Sequence, residues 1–270
     1  MDDSKADNND NNTKPRPRSP KRRPKMSFGF LALVFIMLAT GYVMYTGVID
    51  SMVAPFIFVV AGWMVALCLH EFGHAFVAYH GGDRQVAQTG YLTLDPLSYT
   101  HPVYSLLLPA LFIIIGFIAL PGGAVYVHFG SLKNRYWESA TSAGGPLMTL
   151  FCLCAVCAPF AMGLPSEGGQ RDFWFSLALL AGFLALSLIW NLLPIPGLDG
   201  WGIIEPYLSP GLQNAGNRWR ELGPTFLFIV IILVSPVLNL FWKITMYLLD
   251  FLDVPGVYFM YGMQIFRFWS

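Results

Sequence analysis

The residues most able to do chemistry lie in Leu69-His70-Glu71-Phe72-Gly73-His74-Ala75, an H-E-x-x-H motif. On a helix, histidines four apart sit about 40° from each other on one face, so two imidazoles can share one zinc ion. Glu71 adjoins them as a carboxylate that is not itself a ligand and can take a proton from water activated by the metal. A second stretch, Asn191-Leu192-Leu193-Pro194-Ile195-Pro196-Gly197-Leu198-Asp199-Gly200, offers Asp199 as a third ligand and leaves the fourth position for water. The chemistry expected of this set is hydrolysis at one zinc per chain. The competing account, polar residues merely packed between helices, is weakened by the presence of two such stretches.

The elements that must position these groups are apolar. Residues from about 53 to 79 form a run long enough to cross a bilayer. A charged group at that depth costs roughly 2.5 to 3.5 kcal/mol on insertion scales, so the motif must gain something for its place. The second stretch ends another apolar run, Phe173 to Leu193, where Pro194 and Pro196 stop the helix because neither can donate a helix hydrogen bond. Extended backbone at membrane depth is tolerable only against protein or a polar cavity, which suits a segment presenting Asp199 to a metal.

Together the two motifs resemble those of the site-2 protease family of intramembrane zinc metalloproteases, whose signatures are H-E-x-x-H and a later N-x-x-P-x-x-x-L-D-G. The resemblance covers roughly residues 62–200, and no insertion is long enough for the PDZ domain that some members carry. It implies that His70, His74 and Asp199 bind the zinc, that Glu71 is the catalytic base, and that Asn191 hydrogen-bonds the substrate backbone or the tetrahedral intermediate. A helix C-terminal cap is the structural alternative for Asn191. Ala143-Gly144-Gly145-Pro146 resembles the family's A-G-P-x-x-N segment, with Gly144 in place of Ala and Thr149 in place of Asn.

Composition agrees with a membrane protein: hydrophobic residues make up 55% and charged ones 12%, against about 25% charged in a soluble domain. The net charge of +0 says little, because the charges are segregated. Residues 1–26 read as a disordered basic tail, with Lys14, Arg16, Arg18, Lys21, Arg22, Arg23 and Lys25 among prolines, held in the cytoplasm by the positive-inside rule. A nucleic-acid-binding arm is the rival reading of that tail, and the adjoining span argues against it. Residues 27–250 read as the membrane-embedded catalytic domain and 251–270 as an aromatic tail at the interface.

Within the domain, Ser27 to Tyr45 is the first span and the motif helix the second. Val86 to Leu94 alternates in part as a strand would, and it either pairs with an unwound substrate or is merely structural. His101 to Phe129 is expected to enter the membrane and return to the same side, as a helix to Leu120 and an extended return, with a second strand-like run over 124–129. Ser139 to Gly163 is a further span, with Pro146 suited to its first turn. Pro224 to Asp250 is the last, kinked at Pro236.

The expected fold class is therefore an all-α polytopic membrane protein of about five or six transmembrane helices. A re-entrant segment and short membrane-associated β-strands lie near the active site. Cys152, Cys154, Cys157 and Cys68 read as small buried hydrophobes and not as a metal cluster. His80, His101 and His128 lack the spacing for this zinc.

The expected location is the cell membrane, with the N-terminus cytoplasmic and the active site near the cytoplasmic face. The implied partners are a membrane-protein substrate with a single transmembrane helix and the lipid bilayer, with no nucleic acid. A non-hydrolytic zinc-binding scaffold or transporter is the alternative function, and it has no use for a glutamate beside the first histidine. A membrane zinc peptidase with glutamate as third ligand would need Glu138, Glu167, Glu205 or Glu221, all of which fall in or beside loops.

Overall fold

The computed structural model describes residues 26–49, 51–98, 129–165, 171–220 and 222–269. Among the described residues four helices are long and apolar enough to cross a membrane: α1 (Phe28–Thr46), α2 (Ala54–Gly81), α3 (Arg135–Ala161) and α4 (Arg171–Asn191). Of their apolar windows, 72% of α2 and 83% of α4 is buried, against 17% of α1 and 44% of α3. The motif helix and the helix leading to Asp199 are thus the centre of the bundle. Exposed Phe35, Leu38 and Tyr42 on α1 and Leu147 and Phe151 on α3 leave an apolar outer surface suited to lipid.

Local signals set the helix ends. Ser27 caps α1, its Oγ accepting from Gly29 N at 3.1 Å, and Gly47 ends the helix in the left-handed region at φ 64°. Asn134 caps α3 by accepting from the backbone N–H groups of Tyr136 and Trp137. The helix therefore starts earlier than the expected Ser139, and Pro146 falls well inside it. An interior proline deprives Ser142 of its usual backbone donor and weakens the ladder at that turn.

Helix directions follow from the contacts. Gly41 of α1 faces Phe58 of α2, and Gly62 of α2 faces Leu180 of α4. α2 and α3 run antiparallel, from Gly81 against Trp137 to Gly73 against Gly144. At that crossing a Cβ on Gly73 would fall onto Gly144 O, and one on Gly144 would come within 2.5 Å of Gly73 O. Backbone meets backbone there, as small residues permit.

Residues 85–98 fold beneath the end of α2. The strand expected over 86–94 does not form: Gln85–Gln88 and Tyr91–Thr93 are 3₁₀ turns. Val86 and Tyr91 are both buried against Cys68 and Ala75, and an odd spacing of five puts them on one side only if the chain curls. Ser27 N donates to Thr93 O at 2.8 Å, which ties the start of α1 to this loop. Across the next stretch, Lys133 N donates to Gly81 O at 2.9 Å. The described chain on either side of 99–128 thus lies at one end of the bundle, the end where α1 starts, α2 stops and α3 starts. The expected re-entrant segment itself, with His101, His128 and most of the run over 124–129, lies outside the described residues, as do residues 1–25.

Beyond α4 come α5 (Asp199–Ile204), α6 (Pro210–Trp219), α7 (Gly223–Leu233), α8 (Ser235–Phe251) and α9 (Gly256–Phe266). The kinked span expected over 224–250 is broken at Val234 into two helices, neither long enough to count with the four spans. Pro236 lacks the N–H and the freedom to carry the helix through. Residues 256–266 form a helix that lies along α4, with Phe259 on Gly182 and Gly262 on the Phe175 carbonyl. No strand forms among the described residues.

The close crossing of α2 and α3 gives the first prediction. Gly144→Val has no space to relax into and should cost about 3 kcal/mol, the upper end for overpacking. Gly130→Val, where nothing lies within 4 Å of the new Cβ, should change little. Thermal melts of the two purified variants in detergent check this, and equal melting would refute the tight crossing.

Candidate metal centre

α2 brings His70 and His74 to its buried face, and the turn after α4 brings Asp199 to them. Asn191 is the last residue of α4, and Leu198 precedes α5 in an extended conformation, φ −105° and ψ 161°. Between them the prolines hold a tight loop, with Ile195 N donating to Leu193 O at 2.8 Å and Leu198 N to Ile195 O at 3.0 Å. Gly197, at φ 96°, takes a conformation that side chains other than glycine rarely adopt. Leu198 packs with Trp190 and Phe241, so the residue before Asp199 is fixed by α4 and α8.

The donor atoms converge. His70 Nε2 lies 3.1 Å from His74 Nε2, 3.3 Å separates His70 Nε2 from Asp199 Oδ2, and 3.3 Å separates His74 Nε2 from Asp199 Oδ1. A tetrahedral zinc with bonds of about 2.0 to 2.1 Å sets its ligand atoms roughly 3.3 Å apart. The two nitrogens, each with a different oxygen of the Asp199 carboxylate, are thus spaced much as the ligands of one tetrahedral ion are. Among the described residues this is the one group of three or more such side chains positioned to bind a metal ion.

The outer nitrogens fix which lone pairs face inward. His74 Nδ1 lies 2.7 Å from Thr141 O, a carbonyl that can only accept, so Nδ1 carries the proton and Nε2 offers its lone pair. His70 Nδ1 lies 2.9 Å from Thr149 Oγ1, which can hold the same tautomer. Metal-binding histidines use their second nitrogen in this way.

Two more observations fit a metal. Asp199 Oδ2 is buried, 3.3 Å from His70 Nε2 and without a hydrogen-bond donor among the described residues. Gly145 of α3 faces the imidazoles so closely that a Cβ there would fall on His74 Nε2 and within 2.6 Å of His70 Nε2. The space between the rings is thus kept open by a glycine. The Asp199 side chain retains 20% exposure, against 7% for His70 and 10% for His74, so access remains on the Asp199 side.

Glu71 is buried, and its Oε2 has no hydrogen-bond partner among the described residues. Asn191 is also buried, with Nδ2 unpartnered among the described residues. His80 is not brought to the site: it is exposed, and its Nδ1 bonds the Phe76 carbonyl at 2.8 Å. Cys152 and Cys157 are buried and Cys154 exposed, and none joins a metal-binding group. Glu205 pairs with Arg220 at 2.8 Å and Glu138 lies in the first turn of α3, while Glu167 and Glu221 fall outside the described residues.

The chain is 43% identical over 224 residues to "Putative zinc metalloprotease Rip2" of Mycolicibacterium smegmatis, covering 82% of this chain and 83% of the relative. It is 42% identical over 216 residues to the protein of the same name in Mycobacterium tuberculosis strain H37Rv, covering 80% and 82%. The chain belongs to the site-2 protease family. A more distant relative, "Putative zinc metalloprotease YwhC" of Bacillus subtilis, is 27% identical over 189 residues, 64% of this chain and 78% of its own length. No protein-family profile and no solved structure matches the chain.

Against the family's A-G-P-x-x-N segment, Thr149 supplies the hydrogen-bonding atom where the asparagine would stand. The substitution keeps a polar group at this position, and the structure gives Thr149 a partner in His70. The Thr141 contact runs through a backbone carbonyl and carries no signal in residue type.

Losing such a support typically costs about 10- to 100-fold in metal affinity. Thr149→Val should weaken zinc binding by about that factor while Thr149→Ser keeps it, as read by competition with a chelator. Equal affinities would show that His70 needs no such partner.

Proposed function

We propose that this chain is an intramembrane zinc endopeptidase that cuts transmembrane segments of other membrane proteins. The observation that carries this reading is the convergence of His70, His74 and Asp199, inside a bundle of apolar helices, beside a buried glutamate with an unpartnered oxygen. His70, His74 and Asp199 hold one zinc, which when bound polarises the scissile carbonyl and lowers the pKa of the attacking water.

Glu71 takes the proton of that water and passes it to the leaving amine. Asn191 directs an Nδ2 hydrogen to the substrate backbone, where it supports the oxygen as charge develops. Burial excludes bulk water around these groups, so a substrate carbonyl meets them in place of solvent. A substrate helix hides its carbonyls in its own hydrogen bonds and must unwind first.

The basic tail before α1 puts the start of that helix in the cytoplasm by the positive-inside rule. α2 ends at the same end of the bundle, with its two histidines in its second half. The active site then lies near the cytoplasmic face.

Two experiments test this reading. Glu71→Gln should abolish cleavage of a transmembrane-helix peptide while zinc stays near one per chain, whereas His70→Ala should lose both. Zinc loss in Glu71→Gln would overturn the division of roles, and full zinc without hydrolysis in the unaltered protein would favour a scaffold.

For topology, single cysteines at Lys133 and Leu164 in an active, otherwise cysteine-free chain are treated with a membrane-impermeant thiol reagent on intact cells. Leu164→Cys should label and Lys133→Cys only after lysis. The reverse pattern would place the site at the other face.

A further inference from the structure

Beside the metal centre, α2 and α4 enclose a small cavity lined by Trp63, Ala66, Leu67, His70, Leu184, Ser187 and Asn191. Its volume, about 10 Å³, is that of a single water site. Two features make it polar at one end. Asn191 retains only 6% exposure and its Nδ2 has no hydrogen-bond partner among the described residues. Ser187 stands one turn earlier on α4, on the same helix face, and lines the same space.

A buried amide nitrogen carries two hydrogens, and leaving both unmet is costly. The apolar wall formed by Trp63, Ala66, Leu67 and Leu184 offers neither a partner. A carboxamide held by nothing also has two nearly equivalent orientations, and only one aims nitrogen at an incoming carbonyl.

We propose that Ser187 is a positioning residue that fixes the Asn191 carboxamide through one water held in this cavity. The water accepts one Nδ2 hydrogen of Asn191 and donates to Ser187 Oγ. The second Nδ2 hydrogen is left for the substrate backbone. Ser187 itself touches neither metal nor substrate and acts only through Asn191. This rests on the role given above to Asn191, and it adds the group that selects its orientation.

The test uses the full chain with zinc bound, in detergent, and a fluorogenic transmembrane-helix peptide as probe. Ser187→Ala should lower kcat about tenfold, leave KM within about twofold, and leave the zinc content unchanged. In an Asn191→Ala background the same change should have no further effect, because the group it positions is gone. Additive losses, an unchanged kcat, or zinc loss in Ser187→Ala would each overturn the proposal.

A second measurement does not depend on hydrolysis. A density map sharp enough to show waters should place one between Ser187 Oγ and Asn191 Nδ2, and Ser187→Val should remove it; a dry cavity in the unaltered protein would refute the water bridge. Absence of any Glu71-dependent cleavage would fault the protease reading instead and would leave the map to decide the water site.

Discussion

The structure depends on the cost of keeping two imidazoles and two carboxylates away from water inside apolar helices. His70, Glu71 and His74 sit on a helix whose apolar window is 72% buried, and Asp199 is carried to them by a loop. Unpaired, such groups would destabilise the bundle by several kcal/mol each. The arrangement offsets this by giving every imidazole nitrogen a task. The Nδ1 atoms meet Thr149 and the Thr141 carbonyl, and the Nε2 atoms face a common point that a divalent cation fits. Among the described residues Asp199 Oδ2, Glu71 Oε2 and Asn191 Nδ2 are buried without a hydrogen-bond partner, on the groups that would face metal, water and substrate.

That convergence requires α3 to approach α2 more closely than side chains normally allow. Gly73, Gly144 and Gly145 achieve it, the first pair by backbone contact and the third by leaving room for the donor atoms. The same stretch of α3 supplies both outer-nitrogen partners, Thr141 one turn before Gly145 and Thr149 one turn after. One helix face therefore does three things: it packs, it orients both rings, and it preserves the space between them.

Much of this was legible in the sequence because the chemistry is carried by residue types at fixed spacing. His70 and His74 read as a pair from their separation of four, and Asp199 followed from the proline-broken end of an apolar run. Thr149 was not legible, since its use depends on which α3 residue faces Nδ1, and residue type alone does not say so. The strand expected over 86–94 failed for a related reason: partial alternation describes a flat ribbon, but burying Val86 and Tyr91 against the same patch demands a curl. The break at Val234 was read as a kink because the apolar character continues through Pro236 while the hydrogen-bond ladder does not.

Topology follows from the same constraint. α2 and α4 lie side by side with the same direction, from Gly62 against Leu180 to the cavity that His70 and Asn191 both line. α2 ends at Gly81 where α3 begins, tied by Lys133 N to Gly81 O, and α3 returns to the far end before α4 starts. With one antiparallel helix between them, α2 and α4 must finish at the same end. A third donor placed just past α4 therefore arrives at the level of the motif. An arrangement in which α3 began at the far end would reverse α4 and carry Asp199 away from the motif, and the Lys133 N to Gly81 O bond instead holds the start of α3 where α2 stops.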